Sequence, residues 1–131
     1  MKQEDKELLL KDLCARLLYG VFLKIGEYSD YTLQGIVLSN INKPLLVECN
    51  GSDFECSIEV VRPYLRPMSS MTEEEVFEYL SVCNKDNKDT LTAPRYLGLD
   101  YLLSHHFDYR GLIERDLAIE APEGMYNLKE K

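Results

Sequence analysis

No stretch of this 131-residue chain approaches the roughly 20 consecutive apolar residues that a membrane-spanning helix requires, so no membrane partner is expected. The opening MKQEDKELLLKDL is too acidic, and its apolar run too short, for a secretory signal, which makes the cytoplasm the expected location. Four cysteines are present, Cys14, Cys49, Cys56 and Cys83, and none lies in a CxxC pair. In a reducing compartment they read as buried thiols rather than as a disulfide or zinc framework. The seven glycines stand singly, mostly at turns, with no GxGxxG, no GxxxxGK[ST] and no GxSxG. Backbone cradles for phosphate and the strained elbow of a serine hydrolase are therefore missing, and no cofactor is expected.

Positive charge is also scarce: 15 lysines and arginines stand against 23 aspartates and glutamates, a net charge of -8. Such a surface repels phosphate backbones, so direct nucleic-acid binding is not expected. An acidic mimic of nucleic acid is one alternative that the charge allows. The acids gather in MKQEDKE, in Glu73-Glu74-Glu75 and from Glu114 onward, which also suits an ordinary solvated surface. With 45% hydrophobic and 29% charged residues the composition is globular, and the length suffices for one core without a metal or disulfide staple.

Local patterns place the elements. Residues 4–18 read as a helix that buries Leu8, Leu9, Cys14, Ala15 and Leu18, turns Lys11, Asp12 and Arg16 away, and stops at Gly20. From Val21 the period changes to two: Val21–Ile25, a loop at Glu27–Asp30, Tyr31–Leu38 with a bulge or close-packing point at Gly35, Leu45–Cys49 and Phe54–Val61 read as strands. A hairpin centred on Asn50-Gly51 sets Cys49 opposite Ser52, whereas one centred between Ser52 and Asp53 sets it opposite Cys56. The two prolines of Arg62–Pro67 argue against continued ladder pairing and for an extended surface segment. Thr72 and Glu75 form a capping box with Met71 and Val76 as its staple, opening a helix to about Cys83 that buries Val76, Phe77, Leu80 and Cys83. A polar loop at Asn84–Asp89, a helix from near Pro94 carrying Leu99, Leu102, Leu103 and His106, a short helix-like GLIERDLA and the extended Ile119–Gly124 complete the chain.

The expected architecture is one α+β domain over residues 1–131. An N-terminal helix and a small antiparallel sheet or SH3-like barrel occupy 1–67, and a mainly helical part packs on them over 68–131.

Chemistry has few candidates. Both histidines sit in Ser104-His105-His106-Phe107-Asp108-Tyr109-Arg110-Gly111. A metal-dependent hydrolase using His105, His106 and Asp108 is an alternative. Yet adjacent helical residues point about 100° apart, and zinc takes three or four protein ligands. The competing reading makes the segment a helix end, with His106 in a half-buried slot and Asp108 capping the next turn. Nine tyrosines are many for this length, and Tyr64, Tyr96, Tyr101, Tyr109 and Tyr126 suit either packing edges or a sticky surface.

The segments RPYLRPMSSMTEEE (Arg62–Glu75) and HHFDYRGLIERDLAIEAPEGMYN (His105–Asn127) resemble small uncharacterised proteins encoded by phages and integrated mobile elements of gut bacteria. The resemblance implies an accessory cytoplasmic role in phage or mobile-element biology, with no reaction and no site residues to carry over. The leading reading is thus a non-enzymatic interaction protein that binds a host or phage protein. Its expected contact residues are Tyr64, Leu65 and Arg66 with Tyr109 and Arg110, since exposed Tyr and Arg dominate binding hot spots.

Overall fold

The computed structural model describes residues 2–37, 45–49, 52–56, 58–88 and 97–126. Helix α1 covers Gln3–Ala15, followed by a 3-10 turn at Leu17–Tyr19 that Gly20 ends with φ 66°. Strands β1 (Phe22–Ile25), β2 (Tyr28–Val37), β3 (Leu45–Cys49), β4 (Ser52–Cys56), β5 (Val61–Leu65) and β6 (Ile119–Glu120) line up in the open order β4-β3-β2-β1-β5-β6. Helices α2 (Glu73–Lys88) and α3 (Leu97–Ser104) lie between β5 and β6 in sequence and pack against each other. The fold is α+β, as the pattern of elements implies. The sheet is mixed rather than wholly antiparallel, because β5 and β6 run parallel.

Several boundaries follow from local chemistry. Gly26, at φ 61°, makes the β1–β2 turn so tight that β2 starts at Tyr28, inside the expected loop. The β2–β3 register slips between Leu33 and Gly35, the bulge that a glycine in a strand signals. On β3 and β4, Cys49 stands opposite Ser52 and Leu45 opposite Cys56, the register of a hairpin centred on residues 50 and 51, and the two cysteines do not oppose each other. The expected strand Phe54–Val61 is broken by a 3-10 turn at Ile58–Val60.

The proline segment is a correction. Val61–Leu65 is a strand, with Leu23 opposite Pro63 and Ile25 opposite Val61 on β1. On its other side the ladder with β6 begins only at Tyr64, so Pro63 denies that pairing nothing. Asn84–Lys88, expected as a loop, continues α2. The expected helix start near Pro94 lies outside the described residues. GLIERDLA forms a tight turn rather than a helix, closed by bonds from Asp116 N–H to Ile113 O and from Leu117 N–H to Leu112 O.

The core joins both ends of the chain. Leu9 and Leu13 of α1 pack with Val21, Leu23, Leu33, Val61 and Leu65 of the sheet and with Leu112, Leu117 and Ala118. The buried line of α1 and its C-cap residue is Leu9, Asp12, Leu13 and Arg16, an i, i+3, i+4, i+7 stripe. Asp12 and Arg16 are fully buried, contrary to expectation, while Cys14 is exposed and Leu18 is 91% exposed.

Tyr126 ties the C-terminal segment down. Its hydroxyl accepts from Phe22 N–H and donates to Tyr64 O, each at 2.7 Å, and its ring stacks on Phe22 and on His106. Tyr126→Phe strands one donor and one acceptor at β1 and β5, and a loss of about 1–3 kcal/mol in urea unfolding is expected. A loss below a few tenths would mean that this bridge contributes little.

Candidate functional site

The histidine segment ends α3. His106 N–H donates to Leu103 O and Phe107 N–H to Leu102 O, the paired bonds of a Schellman cap. His106 occupies the left-handed position of that cap, φ 65°, where glycine is usual. Its ring is buried against Tyr126 at 3.8 Å, and burial, reinforced by Arg16, His105 and Arg66, pushes its pKa down to about 4. His105 stacks on Tyr101, with Nδ1 2.9 Å from Tyr101 O. Both Asp108 oxygens accept backbone N–H groups, from Leu112 at 2.8 Å and Ile113 at 2.9 Å. These are the roles of a helix end and a turn cap, and among the described residues no group of three His, Cys, Asp or Glu could hold a metal ion.

Beneath the cap lies a buried ionic cluster. Arg16 Nε donates to Asp12 Oδ2 at 2.7 Å, and Arg110 Nε donates to Asp12 Oδ1 at 3.1 Å. Arg16 Nη2 reaches Asp12 Oδ1 at 3.3 Å and Phe107 O at 2.7 Å. Tyr109 is half-buried beside both guanidinium groups, with Arg110 Cζ 4.8 Å and Arg16 Cζ 5.7 Å from its ring centroid. The cluster fastens α1 to the segment after α3.

A second ionic unit faces a groove. Arg66 N–H donates to His106 O, and Asp108 N–H donates to Arg66 O, so Arg66 continues β5 alongside Phe107. Its guanidinium lies 4.2 Å from the Phe107 ring centroid and forks onto Glu75 at 2.6 and 2.7 Å. Glu75 also accepts from Thr72 N–H while Thr72 Oγ1 accepts from Glu75 N–H, completing the capping box read from the sequence. Arg66, then burial working the other way, then Thr72 set the Glu75 carboxyl at about 2, well below its ordinary range. The groove beside this pair has a volume of about 1070 Å³. Glu74, Glu75 and Glu78 line one wall, and Glu120 through Gly124 with Tyr126 line another. Among the described residues, every lining residue except Glu78 comes from the two segments Arg62–Glu75 and His105–Asn127.

Next to the groove, α2 departs most from expectation. It packs through Glu75, Tyr79, Val82 and Cys83, which are partly buried. Val76, Phe77 and Leu80, expected in the core, are 41%, 74% and 55% exposed. Tyr101 of α3 reaches α2 by donating to Glu78 Oε1 at 2.8 Å, and burial, then Glu78, raises its pKa.

The expected contact residues are distributed differently. Tyr64 and Leu65 are buried in β5, Arg66 is spent on Glu75, and Arg110 on Asp12. The exposure on which that contact surface depended is not found at Tyr64 and Leu65, because β5 is an interior strand between β1 and β6. Comparison with protein-family models, characterised proteins and solved structures gives no match. The sequence pattern alone reads Val76, Phe77 and Leu80 as the buried side of the helix. The signal for their exposure is the competing stripe at Glu75, Tyr79, Val82 and Cys83, equally helical in spacing.

Proposed function

We propose that this chain is a non-enzymatic interaction module, an accessory protein of phage or mobile-element biology acting in the cytoplasm. In this reading it binds a host or phage protein through the outer face of α2 and the adjoining groove. One observation carries the reading: Val76, Phe77 and Leu80 form an apolar stripe in solvent on a helix whose other side is packed. Large side chains grouped on one exposed face offer the desolvation that drives association. By contrast, the residues that suggested chemistry, His105, His106 and Asp108, are engaged in stacking and in backbone hydrogen bonds that shape the chain. The groove supports the reading further, since the two segments that carry the phage-protein resemblance build nearly all of it.

The test is affinity capture from host cells, with and without phage, using the native chain and a Phe77→Asp/Leu80→Asp variant. A protein retained by the native chain and lost with the variant is expected, while circular dichroism of the two stays the same. Identical capture profiles would remove α2 as the contact surface.

A further inference from the structure

The exposed stripe of α2 is bordered by acids, and we infer that the partner it fits is a basic amphipathic helix, apolar along one side with lysines or arginines beside it. This rests on α2 being the contact surface and adds the chemistry of the occupant. Successive helical residues turn by about 100°. Val76, Leu80 and Phe77 therefore share an arc of about 100°, and Glu74 and Glu78 follow within about another 100°, on the side that opens into the groove. Over Glu73–Cys83, the part of α2 that carries the stripe, there are four glutamates and no lysine or arginine; Lys85 and Lys88 follow only at its C-terminal end. Across the groove stand Glu120 and Glu123. Among the described residues, the one arginine lining this groove, Arg66, is already held by Glu75.

Charge decides between occupants. A second copy of this chain would lay one row of glutamates against another, and each copy carries a net charge of -8. An anionic lipid surface would meet the same repulsion. A pure mimic of nucleic acid would need the acids but not the apolar stripe. A helix whose apolar side covers Val76, Phe77 and Leu80, and whose cationic side turns toward Glu74, Glu78, Glu120 and Glu123, satisfies both halves of the surface.

The probe is a designed peptide of roughly 18 residues, with leucines at helical i, i+3, i+4, i+7 spacing and lysines elsewhere. Two counterparts carry glutamine or glutamate in place of lysine. Binding to the full chain is followed by fluorescence anisotropy at low and high salt. The lysine peptide should bind about tenfold or more tighter than the glutamine peptide and weaken several-fold between about 0.05 and 0.5 M salt. Phe77→Asp/Leu80→Asp should abolish binding, and Glu74→Gln/Glu78→Gln should weaken it about three- to tenfold while leaving the glutamine peptide unaffected. Equal binding of the lysine and glutamine peptides, both lost with the Phe77/Leu80 variant, overturns the basic partner and leaves the α2 surface standing. Binding of the lysine peptide that ignores Phe77 and Leu80, or no binding at all, overturns the inference. A concentration-dependent dimer broken by Phe77→Asp would assign the face to a second copy instead, with the same consequence.

Discussion

Asp12→Ala is expected to destabilise the protein by about 3–5 kcal/mol, several times the effect of removing an ordinary exposed helical acid. The carboxylate is fully buried and receives two guanidinium groups, Arg16 from its own helix and Arg110 from 98 residues away. Without it, Phe107 O is the one hydrogen-bond acceptor left to Arg16 among the described residues, in a site from which its charge cannot escape. A buried ion pair as such adds little net stability, because the desolvation of both ions offsets their attraction. What costs is leaving one charge alone. Urea unfolding of Asp12→Ala beside Asp12→Ala/Arg16→Met separates these terms: the double variant should recover part of the loss. A loss below about 1 kcal/mol for Asp12→Ala would show that the cluster is not what holds α1 to the segment after α3.

The second large effect is acid sensitivity in two stages. His106 ionises in the native state only near pH 4, whereas an unfolded histidine does so near about 6.5. Its neutral form is the one the fold accepts. The stability linked to it is thus complete above about pH 6.5 and is lost as the pH falls toward 4, a loss on the order of 2–3 kcal/mol. Glu75 acts in the next window down. Its carboxyl is held at about 2, so the stability its charge contributes is present above its unfolded value near 4.5 and disappears as the pH approaches 2. Arg66 and Glu75 retain some solvent contact, which limits that contribution to about 1–2 kcal/mol. Unfolding midpoints measured from about pH 7 to pH 3 should fall in both windows. His106→Asn, which tolerates the left-handed backbone and does not titrate, should flatten the upper one alone. An unchanged slope between pH 6.5 and 4 in that variant would rule out His106 as its source.

What could be read from sequence was whatever a few neighbouring residues decide. Thr72 and Glu75 specify their own capping box, Gly35 its bulge, and Asp108 the turn it caps two bonds deep. The end of α3 at the histidine pair was legible for the same reason. Burial was not, because it depends on partners far along the chain. Asp12 and Arg16 look like a solvated face until Phe107 and Arg110 arrive to satisfy them. On α2, two apolar stripes compete, and only the position of α3 chooses the one containing Tyr79 and Val82. Pro63 misled because a proline argues against an interior strand, and only the short reach of β6 makes room for it. The groove was illegible for a related reason: its walls come from segments brought together by the bridge between Arg66 and Phe107.

The link from Arg16 to Phe107 has a consequence for how the chain is made. Helix α1 leaves the ribosome early, with the charged pair of Asp12 and Arg16 already at helical spacing, but its last acceptor is synthesised 91 residues later. Tyr126, which joins Phe22 to Tyr64, comes 104 residues after Phe22. The hairpins of the sheet can form as they emerge, while closure of the core waits for Phe107 and Tyr126. Until then the apolar side of α1 stays uncovered, and closing the core over such long separations is slower than forming the local hairpins.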